Sequence, residues 1–142
     1  MISRMLMMCA SNQTPPVGSG SNVYVTNLGS NTSFIFNRNT STGALSGTST
    51  IATGSVPIHV CISYDGKNVY TANYGSSTVS IFDRNLSTGA LSGSSTIAAG
   101  VGTWGIAISA DGKNVYTANQ DNNTVSIFDR NLSTGALSGS ST

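Results

Sequence analysis

The stretch "YVTNLGSNTSFIF" at residues 24–36 returns as "YTANYGSSTVSIF" at 70–82 and as "YTANQDNNTVSIF" at 116–128. The step is 46 residues each time, and "GALSG" at 43–47, 89–93 and 135–139 keeps the same step. Residues 65–96 and 111–142 agree at 28 of 32 positions, and the four differences all fall in 74–77 against 120–123. A fixed period of this length marks a repeat architecture, in which each unit buries its faces against the next copy.

Each unit divides at turn signals into four short extended runs. The first is "VPIHVCIS" (56–63) or "TWGIAIS" (103–109). Asp65-Gly66 and Asp111-Gly112 follow, a dipeptide that tolerates positive φ and signals a tight hairpin. "KNVYTAN" and "TVSIFDR" are the second and third runs, and "ALSGSSTIAAG" is the fourth. In the third run Val79 and Ile81 alternate with Ser80 and Phe82, the period of a strand with two distinct faces. Four antiparallel strands every 40–50 residues or so describe a β-propeller blade. The predicted class is therefore all-β, with about three blades and an incomplete ring.

Composition agrees. The 142 residues include 16 Gly, and only 8% are charged, with a net charge of +1 and no Glu. Ser, Thr and Asn compete with helical hydrogen bonds and Gly loses extra entropy on ordering, so long helices are disfavoured. Six basic residues scattered singly give no electrostatic footprint for nucleic acid. No apolar run approaches the ~20 residues of a membrane span. Two cysteines and one histidine form no ligand-spaced cluster, so neither a metal nor another cofactor is expected. Cys61 aligns with Ala107 and reads as a small core residue.

The blade-building motifs carry a family resemblance. Tyr24-Val25-Thr26-Asn27, "DGKNVYTAN" at 65–73 and 111–119, "TVSIFDRN" at 78–85 and 124–131, and "STGALS" at 87–92 and 133–138 cover residues 22–142. The chain resembles the YVTN-repeat β-propellers, and within them the seven-bladed lactonase-like family that includes 6-phosphogluconolactonases. That resemblance implies a ring larger than three blades and, as one function, hydrolysis of a sugar lactone at the central channel.

Boundaries follow from the repeat. Residues 1–21 form an N-terminal segment, 22–55 a first blade without its inner strand, 56–101 a second blade, and 102–142 a third, cut within its last strand. "QTPPVGSG" (13–20) stands where the second unit has "HVCISYDG", and two prolines cannot serve a central strand. Two readings fit the open flanks. Missing blades of a longer chain complete the ring, or the chain self-associates. The opening "MISRMLMMCASNQTPP" has the order of an export signal, and Leu6 with Cys9 is similar to a lipoprotein attachment site. Its apolar run is short, and Met7-Met8 stand where small residues precede cleavage. An extracytoplasmic location is expected, with the cytoplasm as the alternative.

Candidate chemistry gathers at few positions. His59, the single histidine, opens an inner strand after Pro57, and the resemblance implies a His after Pro in that segment. An imidazole there can activate water or a ring oxygen near pH 7. Trp104 aligns with Ile58, so it is either inter-blade core or a stacking platform for a sugar-like ligand. Tyr74, Gln120 and Asp121 lie in the variable turns, where binding residues concentrate. Arg38, Arg84 and Arg130 recur at a strand end and are expected to pair with Asp83 and Asp129 on the surface. Asn27, Asn73 and Asn119 read as turn caps. Uniform repeats without Glu favour a non-catalytic binding or scaffolding module for a small ligand or protein; the alternative is a lactonase-like hydrolase using His59.

Overall fold

A computed structural model of the chain describes residues 22–141, and these contain eleven strands and no helix. The export-like segment and the proline-rich run at 13–20 lie outside the described residues. Strands β1 (Asn22–Asn27), β2 (Thr32–Arg38) and β3 (Leu45–Ala52) form a first sheet in that order. The middle sheet holds β4 (Pro57–Ile62), β5 (Asn68–Asn73), β6 (Thr78–Arg84) and β7 (Leu91–Ala98). The third holds β8 (Thr103–Ile108), β9 (Asn114–Asn119), β10 (Thr124–Arg130) and β11 (Leu137–Ser141). Every neighbour in a sheet is the next strand in sequence and runs antiparallel. The three sheets are thus separate meanders stacked face to face, an incomplete propeller among the described residues.

Apolar side chains from adjacent sheets fill the two junctions. Tyr24 and Ile35 of the first sheet pack with Val60, Val69 and Phe82 of the middle one. The opposite face of the middle sheet supplies Cys61, Tyr70, Ala72, Val79 and Ile81, against Ile106, Val115, Phe128 and Leu137 of the third. Burying one Phe82- or Phe128-sized side chain contributes about 1.5–3 kcal/mol, so the junctions carry much of the stability. Because strand neighbours point to opposite faces, one six-residue strand serves both junctions.

A polar clasp repeats across each junction. Tyr70 Oη donates to the Gly135 carbonyl (2.8 Å) and accepts from Arg130 Nε (2.7 Å). The rest of Arg130 donates to the Gly112 carbonyl, to Asn68 Oδ1 and to both Asp65 oxygens, the last at 3.0 and 3.1 Å. Tyr24 and Arg84 form the same 2.7 Å bond one sheet earlier, with Asn22 in the place of Asn68. Burial pushes the Tyr70 phenol up to about 12 despite the nearby guanidinium, so it stays protonated and can donate. Burial alone would raise Asp65, but hydrogen bonds from Ser63, Arg130 and the Lys67 amide hold it below the usual carboxylate range.

This arrangement corrects the expected arginine pairing. Arg84 and Arg130 are buried, and the ion pair of Arg130 is with Asp65 of the preceding sheet. Asp83 and Asp129 instead accept from Asn68 and Asn114. The reason is the pleat: residues 83 and 84 are consecutive in a strand and so project to opposite faces. The recurrent asparagines also do more than expected. Asn27 caps its turn by accepting the Gly29 amide. Asn73 and Asn119 are buried, however, and their amides donate to Thr78 and Ser80, and to Thr124 and Ser126. A Cβ at Gly54 or Gly100 would lie 2.6 or 2.3 Å from those amide nitrogens, so glycine lets the inter-sheet connection lie against them.

Candidate functional site

The stacked sheets have two unlike rims. One carries the Asp-Gly turns and the ends of β2, β6 and β10. There lie all five described Lys and Arg residues (Arg38, Lys67, Arg84, Lys113 and Arg130) and four of the five aspartates. The other rim is built from the turns at 28–31, 74–77 and 120–123 and the connections at 53–56 and 99–102. Its only charged described residue is Asp121. The cationic rim also holds an open polar depression lined by Asn22, Asn37, Arg38, Ser87 and Thr88. Its single cation is exposed, so the depression lacks the buried charge that would hold a ligand in place.

The near-neutral rim brings the sequence candidates together. The Tyr74 amide donates to the carbonyl of Val56, and the Gln120 amide to that of Gly102, each at 2.9 Å. These bonds pin both variable turns beside the starts of β4 and β8. Gly102 has φ +70°, and a Cβ there would meet Asp121 at 2.6 Å. Val56 occupies the corresponding place in the middle sheet with φ 52°. For a β-branched residue this is a strained conformation, immediately before Pro57.

Trp104 does not take the buried place of Ile58. Both residues sit at the same β-bulge, marked by register shifts between Pro57 and His59 and between Thr103 and Gly105, yet Ile58 is 4% exposed and Trp104 41%. Its indole meets the Tyr74 ring edge-on, with centroids 5.8 Å apart. Tyr74 Oη in turn donates to Asp121 Oδ1 at 3.0 Å, and the hydrogen bond and charge of that carboxylate raise the phenol's pKa. Trp104, Tyr74 and Asp121 therefore form one cluster spanning the middle and third sheets, with Gln120 exposed next in sequence to Asp121.

His59 lies on β4, two residues in from Pro57, opposite Ala72. Pro57 is buried and His59 half-buried. The Ile106 amide of β8 donates to His59 Nδ1 at 3.1 Å. With Nδ1 accepting, the neutral ring carries its proton on Nε2, which has no hydrogen-bond partner among the described residues. Burial lowers the pKa, so the ring is neutral at pH 7. The imidazole is consequently a fixed N–H donor, and its basic nitrogen is already used. The sequence pointed to His59 but could not assign this tautomer, because Ile106 lies 47 positions away.

The comparisons with known proteins agree with this architecture. The profile of the family described as lactonase, seven-bladed beta-propeller, matches residues 17–104, more than half of the chain. No curated protein matches the sequence. Among solved structures, a protein from Bacteroides fragilis described as a candidate 6-phosphogluconolactonase is 27% identical, with a TM-score of 0.77 over 83% of this chain and 34% of its own. A similarly described protein from Bacteroides uniformis is 24% identical, with a TM-score of 0.77 over 83% of this chain and 35% of its own. The periplasmic gluconolactonase of Pseudomonas aeruginosa is 20% identical, again with a TM-score of 0.77, over 89% of this chain and 40% of its own. The last two show the fold alone. This chain spans between 34% and 40% of the length of these three structures.

Proposed function

The chain belongs to the seven-bladed lactonase β-propeller family, and from that premise we propose that its near-neutral rim forms part of the site of a sugar-lactone hydrolase. The observation that carries this reading is His59, held neutral with Nε2–H available and with Nδ1 bonded to the amide of Ile106, two residues along β8 from the half-exposed Trp104. In lactone opening, negative charge develops on the carbonyl oxygen as water adds, and a fixed N–H donor stabilises that charge. His59 fills this electrophilic role; the base that activates water is supplied by another group, since Nδ1 is engaged. Trp104 offers its face to the apolar side of a sugar ring, and Asp121 orients the Tyr74 hydroxyl next to it. A phosphate on the substrate would need cations, and the described Lys and Arg residues all lie on the opposite rim. An unphosphorylated aldonolactone therefore suits these blades better than its 6-phosphate.

The occupied Nδ1 also favours a second reading, a binding module without turnover. The location compatible with either is extracytoplasmic. Trp104 is the only tryptophan, so intrinsic fluorescence reports on the rim directly. Glucono-1,5-lactone and gluconate are titrated into the protein while lactone hydrolysis is followed by pH-stat. Turnover that drops 10-fold or more in His59→Gln, with fluorescence binding kept, supports the hydrolase. Turnover unchanged in that variant removes the role given to His59. Quenching without hydrolysis leaves the binding module, and neither response removes both.

A further inference from the structure

The junction between the first and middle sheets repeats the one between the middle and third, but with an exchange of side chains. Where the middle sheet turns Ala72 and Val79 toward its neighbour, the first sheet has Thr26 and Ser33. Thr26 and Ser33 are cross-strand partners, two residues along from Tyr24 and Ile35, which pack on Val60, Val69 and Phe82. Side chains two apart in a strand share a face, so both hydroxyls enter the junction. Across from them, two residues beyond Val69 and Phe82, stand Thr71 and its strand partner Ser80, with Asn73 two further along β5. A 3.0 Å bond from Thr26 Oγ1 to the Ile58 carbonyl joins the sheets at this level.

Three atoms of this junction are buried with no hydrogen-bond partner among the described residues: Ser33 Oγ, Thr71 Oγ1 and Asn73 Oδ1. All three residues are 0% exposed. The third sheet has the same Thr and Asn facing Ala72 and Val79, and there Thr117 Oγ1 donates to Asn119 Oδ1 at 3.1 Å. The middle sheet thus leaves unmade the bond that its copy makes, and it does so where hydroxyls of the first sheet stand opposite. Buried polar groups left alone are costly, and internal water commonly bridges them. We infer that one internal water molecule links the first and middle sheets, held by Ser33, Thr71 and Asn73. It donates to Asn73 Oδ1 and accepts from the two hydroxyls, and about three such bonds are usual for a buried water. Ser33 and Val60 are each one heavy atom smaller than Val79 and Ile106, and the bulkier Thr26 turns its hydroxyl to Ile58. The residues around the site are neutral, so it suits water and not an ion. Asn73 also donates to Ser80, whose oxygen accepts the Gly54 amide at 3.1 Å. The water therefore steadies the connection that leads to Pro57 and His59. This inference is independent of the lactone reading.

A crystal structure of the chain and a double-variant cycle test it. The expected map holds one water within hydrogen-bond distance of Ser33 Oγ, Thr71 Oγ1 and Asn73 Oδ1, and none at the matching place beside Thr117. In urea unfolding, Ser33→Ala and Thr71→Val each remove one arm of the bridge. Once either is gone the water has lost its hold, so the second substitution costs less. The double variant's folding constant is expected at least about 5-fold above the value obtained by multiplying the two single losses. Ser33→Ala combined with Thr117→Val, in different junctions, should multiply without coupling. A Thr71 hydroxyl bonded directly to Asn73, with no water in the map, overturns the inference. So do losses at Ser33 and Thr71 that multiply independently.

Discussion

The middle and third sheets are nearly the same sequence in different surroundings. Both second strands read "NVYTAN" and both third strands "TVSIFDR". All six residues of β5 are buried, whereas β9 alternates. Val79 and Ile81 are 0% and 8% exposed where Val125 and Ile127 are half open. The face turned toward the preceding sheet is buried in both, since Phe82 and Phe128 are each fully covered. The difference teaches that a blade has no surface face of its own. Both faces are written to be core, and neighbours decide which of them becomes so.

Equivalent substitutions in the two sheets sharpen the comparison. The largest contrast is expected at Ile81 and Ile127. Ile81→Ala costs about 2–4 kcal/mol through a cavity in the junction, and Ile127→Ala under about 1 kcal/mol. Urea unfolding measures both, and equal losses would break the comparison. Next comes the clasp. Tyr70→Phe leaves the Gly135 carbonyl and Arg130 short of a partner and costs about 1–2 kcal/mol. Tyr116→Phe changes stability by no more than about 0.5 kcal/mol in this chain, because no described sheet beyond it supplies an arginine.

A smaller effect has the opposite sign. Gly102 holds its positive φ freely, whereas Val56 holds the same conformation under strain. Val56→Gly should therefore stabilise the chain by up to about 1 kcal/mol, reduced by lost packing of the valine on Gly75. Thermal unfolding of Val56→Gly beside Gly102→Val, which should destabilise, checks the direction. The smallest effect is the pH response of His59, whose counterpart in the third sheet is Gly105. Burial lowers the folded pKa, so on acidification the unfolded chain takes up this proton first. Stability from the neutral ring is complete above about pH 6.5 and falls as the pH drops toward the folded value. His59→Asn should lack that slope in urea midpoints taken between pH 5 and 7.5.

Much of the candidate site was legible in the sequence, though not its chemistry. His59 stood out as the one histidine, Trp104 as the one tryptophan, and the variable turns as the break in the repeat. Alignment with Ile58 left Trp104 between core and surface; the two share one bulge position, and only the packing around each sheet leaves Trp104 open where Ile58 is buried. The Arg–Asp pairing was misread because adjacency in sequence is separation in a strand. Asp65 and Arg130, 65 positions apart, meet only when two sheets stack.

The 46-residue period by itself determined the strand order, the turns and the meander of each sheet, because hairpin pairing needs only neighbouring segments and their alternation. Which faces became core, which nitrogen of His59 holds its proton, and which carboxylate meets each arginine were decided by tertiary structure. Those outcomes depend on groups brought within about 3 Å from different repeats, and a repeat cannot encode which copy of itself will stand beside it.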